Sequence, residues 1–127
     1  MALILDTNAL SAAADREPEA LAVIASSERL SVPVIVLGEY RFGIAGSRYR
    51  QAYEDWLREW IAAVEVLDVI EETTRHYAEI GLELKQKRKP IPANDLWIAS
   101  LCRQHNLPIV SRDRHFDLVR GVRRIRW

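Results

Sequence analysis

The sequence predicts an α/β fold built around a mostly parallel β-sheet. Short apolar segments, suited to buried strands, alternate along the chain with longer segments whose apolar residues recur at helical spacing. This alternation is typical of β-α-β units, in which a helix returns the chain between parallel strands through a right-handed crossover. Neither an internal repeat nor a linker is evident, so residues 1–127 are predicted to form one domain.

The first half of the chain contains two predicted strands and three predicted helices. Ala2–Leu5 is a short apolar run, and Thr7 or Asn8 is expected to cap the helix that follows it. Pro33 suits the first position of a helix, although residues 34–36 would also suit a strand, so the sequence leaves that choice open. The predicted elements are a strand over residues 2–5, a helix reaching residue 14, a helix over residues 17–28, a strand over residues 30–32 and a helix over residues 33–43.

The second half of the chain contains three predicted helices and three short strands. Aromatic and apolar residues between Tyr49 and Trp60 recur every three or four positions, which predicts an amphipathic helix. The segment Pro90-Ile91-Pro92 interrupts the helical pattern, so a new helix is expected to begin at Asn94 or Asp95. The predicted elements are helices over residues 47–63, over residues 71–87 and up to residue 104, and strands over residues 64–67, 107–110 and 122–125.

Charge is divided unevenly along the chain, although the formal net charge is zero. Residues 1–84 carry 15 acidic and 7 basic side chains, whereas residues 85–127 carry 3 acidic and 11 basic ones. A basic end of this kind suits a polyanion such as RNA, the acidic face of a partner, or the acidic part of the same chain. Most of these bases fall in two groups, Lys85, Lys87, Arg88 and Lys89, then Arg112, Arg114, Arg120, Arg123, Arg124 and Arg126.

The protein is predicted to be cytoplasmic and to have no membrane segment. Its single cysteine, Cys102, cannot form an intramolecular disulfide, which fits a reducing compartment. The apolar run at the start of the chain is too short for the core of a signal peptide, and no apolar stretch is long enough to span a bilayer.

Four acidic residues are candidates for one shared site. In open α/β sheets, ligands bind in the crevice beyond the carboxyl ends of the strands. Asp6 directly follows the first predicted strand, and Asp113 comes shortly after the strand that ends at Val110. Asp95 lies at the start of an apolar helix, and Glu39 interrupts an apolar segment, where an unpartnered carboxylate is costly to bury.

Each of these acids also has a simpler structural interpretation. Asp6 and Asp95 are suited to capping helices, and Asp113 is suited to a turn. Glu39 could be a buried acid paired with an arginine such as Arg41. A fifth acid, Asp117, fits a cap or a solvated position. The four together are harder to explain in this way than any one of them alone.

A divalent metal site is the chemistry that such a set of acids favours. Carboxylates that face one another repel, and a divalent cation relieves that repulsion. Oxygen ligands with retained water suit Mg²⁺ or Mn²⁺, which activate water and neutralise charge on a phosphodiester. Other catalytic patterns are weaker, since there is no phosphate-binding glycine loop and the histidines lack metal-ligand spacing. The three histidines, predicted to be surface or capping residues, are His76, His105 and His115.

The candidate acids lie in four short segments. These are Leu5-Asp6-Thr7-Asn8, Leu37-Gly38-Glu39-Tyr40-Arg41-Phe42-Gly43, Pro92-Ala93-Asn94-Asp95-Leu96-Trp97-Ile98-Ala99 and Ser111-Arg112-Asp113-Arg114-His115-Phe116. In this order and spacing they resemble the PIN-domain nucleases, in particular the VapC-type toxins of bacterial toxin–antitoxin pairs. The resemblance covers essentially the whole chain, and the ordered set is more specific than any single segment.

The resemblance implies a PIN-like three-layer fold, in which a mostly parallel five-stranded sheet lies between helices. It implies an endoribonuclease that depends on Mg²⁺ or Mn²⁺, forms a homodimer and is inhibited by a cognate antitoxin protein. The acids that it assigns to catalysis and metal binding are Asp6, Glu39, Asp95 and Asp113. The supporting residues are Thr7, Ser111 and Asp117, of which Asp117 could also replace Asp113. From the basic end of the chain, the expected RNA contacts are Arg112 and Arg114.

Three alternatives stay open at this point. The first is a PIN-type nuclease that processes RNA or cuts DNA outside a toxin system. The second is a non-catalytic module that binds RNA or protein through the basic end. The third is a phosphatase or phosphotransferase with Asp6 as its nucleophile, which is disfavoured because Asn8 stands where a second carboxylate would be needed.

Overall fold

A five-stranded sheet lies at the centre of the computed structural model, which describes all residues, 1–127. The strands are β1 (Ala2–Leu5), β2 (Arg29–Pro33), β3 (Glu65–Leu67), β4 (Ile109–Val110) and β5 (Arg124–Ile125). Their order across the sheet is β3-β2-β1-β4-β5, and every neighbouring pair is parallel. The predicted α/β class with a mostly parallel five-stranded sheet is therefore confirmed, and the sheet is parallel throughout.

Helices cover both faces of this sheet. They are α1 (Thr7–Ala14), α2 (Pro18–Ala25), α3 (Val34–Ile44), α4 (Arg50–Ile61), α5 (Glu71–Gln86) and α6 (Ala93–His105), with a short 3-10 helix over Arg114–Leu118. Successive side chains of β1 enter different cores, since Ile4 belongs to the larger apolar cluster and Leu3 and Leu5 belong to the smaller one. The sheet is thus the middle of three layers. None of the helices combines the length and hydropathy that crossing a bilayer requires.

The prediction that Thr7 or Asn8 caps α1 is wrong, and the interpretation of Asp6 as a helix cap is confirmed. Asp6, rather than Thr7 or Asn8, is the residue before the helix, with extended backbone angles and a side chain that accepts a hydrogen bond from the Thr7 N–H at 2.8 Å. The strand therefore passes into the helix without an intervening loop, and the capping carboxylate is the first group beyond the sheet.

Two prolines set the starts of later helices. Pro33 is the last residue of β2 and precedes α3, so residues 34–36, which the sequence left open, are helical and Pro33 is not the first helical residue. Pro92 likewise precedes α6, which begins at Ala93 rather than at Asn94 or Asp95. In both cases the proline has extended backbone angles compatible with its fixed φ.

The strand predicted over residues 107–110 is shorter than expected. Asn106 ends α6 in the left-handed region, with φ of 52°, and Pro108 has no N–H to donate to a neighbouring strand. The carbonyl of Pro108 still accepts a hydrogen bond from the Ile4 N–H at 2.9 Å. Pairing within β4 is therefore confined to Ile109–Val110. The helix predicted over residues 47–63 is also shorter, since α4 begins at Arg50.

The reversal of strand order is the feature of the fold that positions a site. β2 and β3 follow on one side of β1, whereas β4 pairs with β1 on the other side. Leu5 is in register with Val110, so the next residues, Asp6 and Ser111, leave the same edge of the sheet side by side. Open α/β sheets bind their ligands at such a switch point, beyond the carboxyl ends of the strands.

Candidate functional site

Asp6 lies at this edge and is almost fully buried, with 4% of its surface exposed. Besides capping α1, its carboxylate accepts hydrogen bonds through Oδ2 from the Ser111 hydroxyl at 2.6 Å and from the Asn8 amide at 3.4 Å. Burial raises the pKa of the Asp6 carboxyl to about 6, although the hydrogen bonds from Ser111 and Thr7 oppose that shift. The carboxylate therefore caps the helix, and its charged form is destabilised by burial at the switch point.

The Ser111 hydroxyl joins two of the candidate acids. While donating to Asp6, it accepts a hydrogen bond from the Asp113 backbone N–H at 2.9 Å. Asn8 reinforces the same connection, because its amide donates to Ser111 Oγ at 3.3 Å and its carbonyl accepts from the Arg112 N–H at 3.2 Å. The end of β1 and the loop after β4 are thus held together by side-chain hydrogen bonds.

Glu39 reaches the site from α3, where it is partly buried. Its Oε1 accepts a hydrogen bond from the Thr7 hydroxyl at 2.8 Å, and its Oε2 accepts one from the Asn94 amide at 3.4 Å. It makes no ion pair with Arg41, which instead pairs with Glu54 at 3.4 Å. The interpretation of Glu39 as an arginine-paired acid is therefore wrong, and Thr7, which the resemblance names as a supporting residue, contacts Glu39.

Asp95, Asp113 and His115 form a compact cluster. Asp95 lies in the first turn of α6, and Asp113 caps the 3-10 helix that contains His115. The His115 Nδ1 is 2.7 Å from Asp95 Oδ2 and 3.1 Å from Asp113 Oδ1. One ligand atom from each of the three side chains lies within 4.8 Å of the other two. Asp6 and Glu39 are outside this group of three.

The four acids nevertheless influence one another electrostatically. The negative charges of Asp95 and Glu39 add to the raised pKa of Asp6. Burial raises the pKa of Asp95, the hydrogen bond with His115 opposes this, and the charges of Asp113 and Glu39 add to it. The same hydrogen bond with Asp95 raises the pKa of His115. The four acids therefore share one negatively charged region, and a cation would relieve its repulsion.

Asp117 does not join this cluster. Its two carboxylate oxygens accept hydrogen bonds from the Arg124 guanidinium at 2.9 and 2.8 Å, and these bonds lower the pKa of Asp117. Arg124 also donates to the Ser111 carbonyl at 3.2 Å. Of the two acids that the sequence left open for the fourth position, Asp113 is the one beside Asp95, and Asp117 supports the Ser111 loop through an arginine.

Of the two predicted RNA contacts, one arginine is engaged with other side chains of the protein and the other is not. The Arg112 guanidinium donates to Glu17 at 3.3 Å and lies over the Trp127 ring, 4.4 Å from its centroid. Arg114 is exposed and forms no ion pair. The basic third of the chain does not form one surface, however, because Arg123 lines a cavity of about 300 Å³ at the opposite edge, beside the amino ends of β1 and β4.

Sequence reasoning missed three polar residues of the site. His115 was predicted to be a surface or capping residue, and although its side chain is 44% exposed, its ring faces two acids. Its position two residues after Asp113, inside the last acidic segment, was the available signal. Asn8 was interpreted as a helix cap and Asn94 as the start of a helix, and neither was assigned to the site, yet each contacts a candidate acid.

The donor set fits a divalent cation. Carboxylate oxygens and an imidazole nitrogen are ordinary ligands for such ions, and here they converge at a partly exposed position beside further acids. Next to them is a cavity of about 600 Å³, lined in part by Thr7, Glu39, Phe42 and Asn94. The arrangement can therefore hold a divalent ion beside space for an extended substrate.

Comparison with known proteins shows the family and the fold of the chain. The family model of the PIN domain matches residues 3–122, which include all four acids. The chain is 29% identical to ribonuclease VapC2 of Rickettsia felis over 117 residues, covering 89% of this chain and 87% of that protein. The crystal structure of VapBC2 from Rickettsia felis bound to a promoter DNA fragment aligns with a TM-score of 0.87 at 26% identity, covering 100% and 99% of the two chains. VapBC-5 from Mycobacterium tuberculosis, a member of the VapBC family of toxin–antitoxin systems, aligns with a TM-score of 0.79 at 27% identity, covering 99% and 98%.

Proposed function

The chain belongs to the PIN-domain family, and from this premise we propose that it is a metal-dependent endoribonuclease and the toxin of a toxin–antitoxin pair. Similar proteins named ribonuclease VapC, and similar structures of VapBC complexes, support both parts of the proposal. The observation that carries it is the convergence of Asp95, Asp113 and His115 beside Asp6 and Glu39 at the switch point of the sheet.

A divalent ion, Mg²⁺ or Mn²⁺, is proposed as the cofactor. Asp95 and Asp113 would hold it, with Asp6 and Glu39 adding negative charge from the adjoining positions. When bound, such an ion supplies an activated water and neutralises charge on the scissile phosphate. The buried carboxylate of Asp6 has no cationic partner in the protein. A cation bound nearby would offset the cost of burying this charge.

The residues of the chain itself would orient the substrate and move protons. Glu39 lines the cavity of about 600 Å³ and is held at both oxygens by Thr7 and Asn94, so it is positioned to accept a proton from an attacking water. The Ser111 hydroxyl would keep Asp6 and the Asp113 loop in fixed relation. Arg114, which is exposed and unpaired, would contact an RNA phosphate near the acids.

A cognate antitoxin and a second copy of the chain are proposed as protein partners, with the cytoplasm as the place of action. Phe42 is 86% exposed on α3 and lines the same cavity as Glu39. An aromatic side chain exposed to this extent beside an apolar neighbour such as Ile35 favours a surface that another protein covers. Coexpression with the product of the neighbouring reading frame tests the antitoxin part of the proposal, because growth arrest by this chain should then be relieved.

The nuclease proposal is tested with the purified full chain and structured and single-stranded RNA. Cleavage should require Mg²⁺ or Mn²⁺ and should stop with EDTA. Asp95→Asn and Asp113→Asn should lose at least a hundredfold in rate while keeping the wild-type circular dichroism spectrum. Asp68→Asn, at an exposed position in the β3–α5 loop, is the matched control and should cleave as the wild type does. Cleavage by the wild type that persists in EDTA would refute the metal-dependent mechanism.

A further inference from the structure

His115 is placed to act on more than one carboxylate. Its Nδ1 lies 2.7 Å from Asp95 Oδ2 and 3.1 Å from Asp113 Oδ1, and its backbone N–H donates to the same Asp113 oxygen at 2.9 Å. The residue thus fixes the orientation of Asp113 through its main chain and presents a ring nitrogen to both acids. The other ring nitrogen, Nε2, has no partner in the protein, and the side chain is 44% exposed.

These distances match the spacing of ligands around a single ion. Two ligand atoms at right angles on an octahedral ion with bonds of about 2.1 Å lie roughly 3 Å apart. The separations of Nδ1 from the two carboxylate oxygens, 2.7 and 3.1 Å, lie on either side of that value. The nitrogen and the oxygens could therefore occupy neighbouring positions of one coordination sphere with only small movements of the side chains.

We propose that His115 is itself a ligand of the divalent ion, through Nδ1, and that this nitrogen makes the site prefer Mn²⁺ to Mg²⁺. The inference rests on the proposed metal-dependent function and specifies the ion that serves it. Mg²⁺ favours oxygen ligands in a near-ideal octahedron and keeps several waters, whereas transition ions accept imidazole nitrogen readily. A site of two carboxylates and one imidazole is therefore better matched to a transition ion, for which Mn²⁺ is the natural probe.

A competing explanation places the imidazole where the ion would go. In that case the ring satisfies the two acids only in the absence of metal and has to leave when an ion binds. The two explanations predict opposite effects of removing the ring. A ligand stabilises the bound ion, so its loss weakens Mn²⁺ binding, whereas a competitor opposes the ion, so its loss strengthens the binding of both ions.

Calorimetric titration of the full chain with Mn²⁺ and with Mg²⁺, at constant pH, separates these explanations. For His115→Ala we expect Mn²⁺ affinity to fall at least tenfold and Mg²⁺ affinity to change less than threefold, so that the preference for Mn²⁺ is lost. His105→Ala is the matched control, because His105 is exposed at the end of α6 and outside the cluster, and it should bind both ions as the wild type does. Tighter or unchanged Mn²⁺ binding by His115→Ala overturns the proposal.

A spectroscopic measurement gives an independent answer. Pulsed electron paramagnetic resonance of bound Mn²⁺ should detect the nuclear coupling of an imidazole nitrogen in the wild type and in His105→Ala, and it should lose that coupling in His115→Ala. His115→Gln, which offers an oxygen in place of the nitrogen, is a second variant and should also lose it. A wild-type spectrum with no nitrogen coupling at saturating Mn²⁺ overturns the proposal.

Failure of this inference can be told apart from failure of the proposed function. If the wild type cleaves RNA with added metal but shows neither nitrogen coupling nor a dependence of Mn²⁺ affinity on His115, then the function stands and the ligand assignment fails. If the wild type binds Mn²⁺ with nitrogen coupling but cleaves no RNA, then the ligand assignment stands and the nuclease proposal fails. Circular dichroism and thermal unfolding of each variant show whether the fold is intact.

Discussion

Replacing Asp6 by asparagine should change how the stability of the metal-free protein depends on pH. Burial raises the pKa of the folded-state carboxyl to about 6, whereas an unfolded aspartate titrates near 3.9. Below about pH 4 the group is protonated in both states. Between about pH 4 and pH 6 the folded protein holds a proton that the unfolded chain has lost, so the free energy of unfolding falls as the pH rises through this window.

The size of the effect follows from the shift. A difference of about two pKa units, at roughly 1.4 kcal/mol per unit, corresponds to about 3 kcal/mol lost between pH 4 and pH 7. Asparagine has no charge to bury, so Asp6→Asn should lack this loss. The variant also disturbs the hydrogen bond from Ser111, at a cost of about 1 kcal/mol that is the same at every pH.

Urea unfolding of the wild type and Asp6→Asn in EDTA, at pH values from 4 to 7.5, measures this difference. The wild type should be the more stable protein at pH 4, and the variant should gain on it by about 3 kcal/mol by pH 7. Asp68→Asn, at an exposed position, is the control and should follow the wild-type curve. A constant difference between wild type and Asp6→Asn across this range would mean that Asp6 does not carry a buried charge in the folded protein.

Three further predictions concern the surroundings of the acids. Arg114→Ala should weaken RNA binding similarly for all sequences and should reduce the slope of log affinity against log salt concentration by about one. Fluorescence anisotropy at several salt concentrations measures this slope, and an unchanged slope excludes a phosphate contact. Asp117→Asn should lower the free energy of unfolding by about 1 kcal/mol or less at pH 7, because the pair with Arg124 is half exposed. This difference should disappear as the pH falls below 4, since the folded-state pKa of Asp117 is lowered. Phe116→Ala should lower the free energy of unfolding, measured with urea, by roughly 3–5 kcal/mol, because the side chain is fully buried. It should also weaken Mn²⁺ binding, because Phe116 anchors the 3-10 helix that carries His115. Normal Mn²⁺ affinity in the folded variant would show that this packing is not needed for Mn²⁺ binding.

The sequence was sufficient to predict the order of helices and strands and to identify the four acids as candidates, because both depend on local sequence patterns. The apolar run before Asp6 and the apolar helix after Asp95 each show a carboxylate where burial should exclude it, and the structure brings both acids to one edge of the sheet. Periodicity carries no information on which strands are neighbours, however. The pairing of β1 with β4, on which the contact between Asp6 and Ser111 depends, was not predicted and is seen only in the structure.

Side-chain partners could not be predicted because they are set by tertiary contacts. Asp113 and Asp117 lie four positions apart and both follow β4, so the sequence left open which one belongs to the site. The difference depends on Arg124, which β5 brings into hydrogen bonds with Asp117, whereas Asp113 lies beside Asp95 and His115. The position of the His115 ring likewise depends on the 3-10 helix, a conformation that the polar sequence after β4 does not predict.

The site as a whole exists only when distant parts of the chain are joined. Ser111 and Asp6 are 105 positions apart, yet their 2.6 Å hydrogen bond lies at the centre of the network. The network therefore requires β4 to be paired with β1, and β5 with β4, since Arg124 of β5 holds the Ser111 carbonyl. Asp113 and His115 follow β4 in the chain, so their position beside Asp95 depends on this part of the sheet. The cluster of Asp95, Asp113 and His115 is thus completed by residues that follow β4, and we expect a chain that lacks β4 and β5 to lack the proposed activity.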